Sequence, residues 1–162
     1  LALAELVRVS ESDAPFASEL SALRTLSPAP ELDDLSHYAG GVPTRAELEQ
    51  RFATSADAIL AAERRSYATN WLERMWASFV NLVSVRRVGN VTGKDTEARV
   101  ARAEFDLKSG DLNAAIGELD MLAGPARDAA QPWLAQAKAR QAITADTRAI
   151  TMRIIAGLAP PQ

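Results

Sequence analysis

Apolar residues recur along nearly the whole chain at intervals of three and four, the spacing that keeps them on one side of an α-helix. Leu1, Leu3, Leu6 and Val7 fit the end of a helix over residues 1–11. Asp13 and Pro15 restart one, because Asp accepts from the orphan N–H groups of a first turn and Pro tolerates that turn. Phe16, Leu20, Leu23 and Leu26 carry it to a break at Ser27-Pro28-Ala29-Pro30, and a short helical turn around Leu32–Tyr38 ends at Gly40-Gly41. Thr44-Arg45-Ala46-Glu47 has the form of a capping box, and it opens a helix with Leu48, Phe52, Ala56, Ile59 and Leu60 on one side. Gly89–Gly93 reads as a loop, and Asp95 caps a helix carrying Ala98, Ala101 and Phe105, with Val100 and Leu107 beside them. Gly110 stops that helix and Asp111 caps the next, whose Leu112, Ala115, Ile116, Leu119 and Leu122 form one apolar stripe. After Gly124-Pro125 a longer helical pattern runs through Trp133, Leu134, Ala137, Ile143, Ile150, Ile154 and Leu158, with Pro132 as its start or a kink. Strand-like alternation is sustained nowhere. The expected fold is all-α: a helical bundle whose C-terminal part is helix-turn-helix and repeat-like, preceded by an amphipathic helix.

Composition narrows the chemistry. With 162 residues, 48% hydrophobic and 24% charged, the chain has ordinary globular usage and the length of one domain or one domain plus an appended segment. No run of about 18 uncharged apolar residues occurs, so no spanning helix is expected within this sequence. Cysteine is absent, which removes disulfides, thiolate metal ligands and thiol catalysis. A single histidine, His37, leaves no multi-histidine metal site and would have to carry any imidazole acid–base step alone. A non-enzymatic domain without cofactor or metal is expected. Because Leu1 already lies in a helical pattern without a signal-peptide layout, the chain is expected to be a fragment whose upstream region holds any anchor or targeting signal.

Net charge is −3, which gives no footprint for nucleic acid, but its distribution is uneven. Residues 1–60 carry four arginines against ten acids, and residues 95–162 carry eight bases against nine acids. Residues 61–94 between them carry six bases (Arg64, Arg65, Arg74, Arg86, Arg87 and Lys94) against only Glu63 and Glu73. This basic island also holds Tyr67, Trp71, Trp76 and Phe79, four of the nine aromatic residues.

Wound at about 100° per residue, residues 70–84 sort into two halves. Trp71, Leu72, Met75, Trp76, Phe79, Val80, Leu82 and Val83 fill one side, and Asn70, Glu73, Arg74, Ser78, Asn81 and Ser84 fill the other. Arg64 and Arg65 precede the helix and Arg86 and Arg87 follow it. Two readings fit. The face can lie at an anionic membrane surface, where Trp settles at headgroup depth and each nearby Arg gains roughly 1 kcal/mol. It can equally pack against protein, as the stripe of any bundle helix does.

Other motifs carry less. Gly89-Asn90-Val91-Thr92-Gly93-Lys94-Asp95 has a phosphate-loop look, but three residues separate its glycines instead of four and Asp95 stands where a metal-binding hydroxyl belongs. Asn90-Val91-Thr92 fits a glycosylation sequon, a common chance match. His37 beside Asp33 and Asp34 reads as solvated residues on a short helix. Trp133 reads as an anchor of the C-terminal helices.

Residues 103–119, helix–Gly110-Asp111–helix, have the form of one unit of the tetratricopeptide class of helical repeats. A wider likeness covers residues 40–145. Gly41-Val42-Pro43-Thr44 is followed by Leu48 and Arg51-Phe52, the aromatic amphipathic helix and Val85-Arg86-Arg87-Val88-Gly89. Then come Ala101-Arg102-Ala103-Glu104, Gly110-Asp111-Leu112, Glu118-Leu119 and Trp133-Leu134 with Ala137 and Arg140. In order and spacing this resembles the C-terminal region of the mitofilin family, particularly its bacterial members. The resemblance implies a scaffold of the MICOS complex at an inner membrane. Such proteins are anchored by an N-terminal helix, carry a coiled coil, and end in a helical domain that self-associates and contacts protein partners. It also implies a lipid-binding amphipathic segment just before that domain, at about 62–85 here. The expected segments are therefore 1–42, N-terminal helices; 43–88, a helical stretch with the lipid-binding candidate; and 89–162, the mitofilin-like helical domain. The expected lipid-contacting residues are Arg64, Arg65, Trp71, Leu72, Met75, Trp76, Phe79, Leu82, Arg86 and Arg87. Leu112, Ile116, Leu119 and Trp133 are expected to serve a homo-oligomer or a protein partner. The expected location is an inner membrane, with the domain facing the periplasm or the mitochondrial intermembrane space. A soluble helical adaptor that binds a protein partner without lipid is the other reading.

Overall fold

The computed structural model describes residues 1–26, 29–74 and 93–158, with the backbone alone for 68–74 and 158. Seven α-helices and no strand form among the described residues: α1 (Ala2–Ser10), α2 (Ala17–Leu26), α3 (Pro30–Ser36), α4 (Arg45–Arg74), α5 (Thr96–Lys108), α6 (Leu112–Asp120) and α7 (Gly124–Leu158). The all-α expectation holds.

Local chemistry sets several of the boundaries. Asp95 accepts from the Ala98 N–H at 2.7 Å and Asp111 from the Ala114 N–H at 2.9 Å, so both expected caps are made. Gly110 ends α5 with φ +81°, while its N–H bonds the Leu107 carbonyl and the Asp111 N–H reaches back to Asp106 at 2.8 Å. That pair of bonds closes the end of the helix on a residue in the left-handed region, which glycine adopts without strain. Pro30 sits in the first turn of α3. Pro132 lies inside α7, which neither starts nor stops there.

Packing forms two compact units, residues 1–45 with 136–162 and residues 46–135. The later part of α7 belongs to the first unit, where it packs on the N-terminal helices. In the first unit Leu6, Phe16, Leu20, Leu23, Leu32 and Leu35 bury against Ile143 and Ile150. Arg24 joins α2 to α3 through Asp33 (2.6 Å) and the Leu32 carbonyl, and Arg153 of α7 pairs with Glu31 of α3.

The first unit also buries a guanidinium. Arg140 is 4% exposed and donates to four backbone carbonyls. Nε bonds Pro43 at 2.9 Å, Nη1 bonds Ser10, and Nη2 bonds Ser12 at 2.8 Å and Val42 at 2.6 Å. The end of α1 and the irregular stretch at 42–43 that leads into α4 are thereby held by one side chain. Gly41 brings that stretch close: its φ is +87°, and a Cβ there would lie 2.1 Å from the Asp13 carbonyl oxygen.

In the second unit Leu48, Phe52, Ala56 and Ile59 of α4 are buried, as are Leu112, Ala115, Ile116 and Leu119 of α6. Trp133 donates its indole N–H to the Leu48 carbonyl at 3.0 Å and meets Phe52 edge-on, ring centres 5.1 Å apart. Burial differs from the sequence pattern at three places, the first being Leu1, which is fully exposed. Leu26 is 72% exposed, because the covered stripe of α2 ends at Leu23, and Phe105 is 46% exposed, because burial on its side of α5 ends at Ala101.

Arg140→Met should lower stability by about 3 kcal/mol, since a buried carbonyl left without its donor costs roughly 1–3 kcal/mol and water can reach only some of the four. Arg140→Lys should recover part of this through a smaller set of donors. Urea unfolding checks both; a loss below about 0.5 kcal/mol for Arg140→Met would show that the carbonyls do not depend on the guanidinium.

Candidate functional site

The basic island begins on α4. Its helix continues to Arg74, so the positions of Arg64, Arg65, Trp71 and Leu72 are helical, and Arg64 and Arg65 are exposed. Met75, Trp76, Phe79, Leu82, Arg86 and Arg87 lie outside the described residues, as does the expected loop up to Thr92. The chain is described again from Gly93, at the foot of α5.

A cleft of 720 Å³ opens in the second unit between α4, the start of α5 and the α6–α7 turn. Leu60, Tyr67, Met121 and Leu122 give it apolar surface, and Tyr67 and Met121 are 65% and 61% exposed. Its charges are mixed: Arg64, Lys94 and Arg99 stand among Asp57, Glu63, Asp95 and Glu97. Such a cleft suits an amphipathic chain better than a small anion, because carboxylates oppose the cations at its rim.

Beside it, Arg102 forms a two-pronged pair with Glu118 of α6, Nε to Oε1 at 2.9 Å and Nη2 to Oε2 at 2.8 Å, while Nη1 bonds the Gly93 carbonyl at 2.9 Å. Arg99 lies 3.5 Å from the same carboxylate and donates to the Lys94 carbonyl at 3.2 Å. The Arg102 hydrogen bond holds the Glu118 carboxyl below its ordinary pKa, with Arg99 adding a smaller charge effect. Asp106 is pushed up, first by burial and then by the neighbouring Glu118 and Asp111 carboxylates.

The four residues expected to meet a partner are all buried within the chain: Leu112 and Ile116 at 5%, Leu119 at 0% and Trp133 at 3% exposure. Their apolar surface is used in packing within the second unit. Asp33 is engaged by Arg24, and His37 follows α3 as its C-terminal cap residue. Among the described residues no group of three metal-ligating side chains is close enough to hold an ion. Arg102, Arg99 and Glu118 did not stand out in the sequence as site residues. The available signal was Arg102 set between Ala101 and Ala103, two small residues that the helix buries.

The lowered pKa of Glu118 fixes the sign of its pH dependence. An acid depressed in the fold stabilises above its ordinary value of 4.5, and that contribution is lost as pH falls through the lowered value. In an Asp106→Asn background, which removes the carboxyl of opposite trend, Glu118→Gln should lower the urea midpoint at pH 7, and the difference should shrink as pH falls below about 4. A pH-independent difference would exclude the ion pair as its source.

Comparison with known proteins gives one family. A family profile described as mitofilin, mitochondrial inner membrane protein, matches residues 1–144. A MICOS complex subunit MIC60 from Paracoccidioides brasiliensis is 29% identical over 131 residues, covering 76% of this chain and 19% of that protein. The Pyrenophora tritici-repentis MIC60 is 29% identical over 131 residues, with 76% and 20% covered. The Neurospora crassa subunit is 26% identical over 168 residues, with 93% and 25% covered. The chain thus spans about a fifth to a quarter of the length of the curated relatives it matches. No solved structure matches it significantly. Among the described residues no helix is long and apolar enough to cross a membrane. With the family profile running through six helices and most of the seventh, the chain belongs to the mitofilin family.

Proposed function

We propose that the chain is a non-enzymatic part of a membrane-organising scaffold, working as a mitofilin does within a MICOS-type complex. The observation that carries this reading is the family match over residues 1–144 together with the basic, aromatic stretch that the same match encloses. Residues 62–85 contact an anionic inner-membrane surface. Trp71, Leu72, Met75, Trp76, Phe79 and Leu82 enter at headgroup depth, and Arg64, Arg65, Arg86 and Arg87 lie against anionic lipid. Shallow insertion spreads one leaflet, and self-association of the helical domain adds many such wedges into curvature. The expected segments keep this division of labour, with 1–42 leading from the upstream region and 89–162 serving self-association and protein partners. The domain faces the periplasm or the mitochondrial intermembrane space.

Burial of Leu112, Ile116, Leu119 and Trp133 within the chain bears on the assembly step. These residues shape the helices, and the contact with a second copy or a MICOS-type partner uses the outer surfaces they support. The adaptor reading has one observation of its own, the 720 Å³ cleft with exposed Tyr67 and Met121, which would receive a partner segment without lipid.

Trp71→Glu and Phe79→Glu should each abolish co-flotation with anionic vesicles while leaving the far-UV helical signal unchanged. Unfolding in both variants would make those positions core and end the interfacial reading. Unchanged flotation would move lipid contact elsewhere, and absence of flotation in the parent chain would leave the adaptor.

A further inference from the structure

Glu118 does more than join two helices. Packing of α5 on α6 is already supplied by Ala103, Leu107, Ala115, Ile116 and Leu119, all buried, and the first turn of α5 is capped by Asp95. The ion pair adds its stability to a hairpin already packed and capped. Its geometry has a further consequence. A guanidinium gripped at two nitrogens by a carboxylate has its remaining nitrogen aimed in a fixed direction. Arg102 spends that nitrogen on the Gly93 carbonyl, and Arg99, next to the same carboxylate, reaches the Lys94 carbonyl. Both carbonyls precede the helix, which begins at Thr96 with Asp95 as its cap. The arginine and glutamate side chains are only 15–21% exposed, so the network is largely sheltered from water and salt.

We propose that Glu118, acting through Arg102 and Arg99, is a positioning group that fixes the point at which the chain returns from the membrane-contacting segment to the α5–α6 hairpin. The proposal rests on the reading of residues 62–85 as the membrane contact. A tether held at its return point has fewer arrangements to lose when the segment settles on a surface, so its binding is tighter than that of a free tether. The clamp touches no lipid itself, so it acts on how strongly the segment binds and leaves its lipid preference unchanged.

The test compares the full chain with Arg102→Ala and with the double exchange Arg102→Glu/Glu118→Arg, which keeps the net charge. Each is floated with phosphatidylcholine vesicles containing phosphatidylglycerol and unfolded in urea. Arg102→Ala should reduce the bound fraction several-fold. The exchange should restore the urea midpoint, because the pair is remade, yet leave binding low, because a carboxylate at position 102 cannot donate to the Gly93 carbonyl. Recovery of binding together with stability would overturn the proposal, since a merely structural pair predicts that result. Arg102→Ala binding as strongly as the parent would overturn it alone. A parent chain that does not float would overturn the membrane reading and this proposal with it.

Discussion

The first unit depends on a buried positive charge that is satisfied by backbone. Removing a guanidinium from water is costly unless its donors find acceptors, and Arg140 finds them on the carbonyls of Ser10, Ser12, Val42 and Pro43. The requirement runs both ways. Those carbonyls end α1 or belong to the irregular stretch at 42–43, so no helix supplies them with donors, and the arginine must come to them. Gly41 follows from the same constraint: its positive φ and lack of a side chain let the stretch approach Asp13 closely enough for Val42 and Pro43 to face the guanidinium. Around this point Leu6, Phe16, Leu20, Leu32, Leu35, Ile143 and Ile150 complete the apolar core.

The second unit is built on small residues. Ala98, Ala101, Ala103, Ala115, Ala126 and Ala130 are all buried, which lets helices approach closely and leaves Phe52, Trp133 and the leucines to fill the remaining volume. At its edge Arg64 and Arg65 of α4 are exposed, and Arg102 and Arg99 bond the Gly93 and Lys94 carbonyls. The relatives the chain matches are named as MICOS subunits, and the proposed scaffold role follows that likeness.

Much of this was legible in the sequence wherever the cause was local. The caps at Asp95 and Asp111, the stop at Gly110, the break near Pro28 and Pro30 and the stripe Leu112–Leu122 each depend on residues within a turn or two of one another. Burial at the margins was less readable. Leu26 and Phe105 have the right spacing, but whether a neighbour covers them is decided by helices distant in sequence. Arg140 shows the limit most clearly. It falls on the stripe of Trp133 and Ala137, where a charge is out of place, so the anomaly is visible; its acceptors lie 97 to 130 residues away, so the resolution is not. The same applies to Arg102 and Glu118, sixteen residues apart and on different helices. Of the lipid-contact candidates, sequence supplied the identity and α4 the placement of Arg64 and Arg65, while the residues from Met75 to Arg87 lie outside the described residues.

The central claim is that one segment meets the membrane while the helical units stay as they are. Amide hydrogen exchange with and without anionic vesicles tests it most directly. The account predicts new protection confined to residues 62–93, with α1–α3 and α5–α7 unchanged. Protection spread over α6 or the early part of α7, or absent from 62–93, would contradict it.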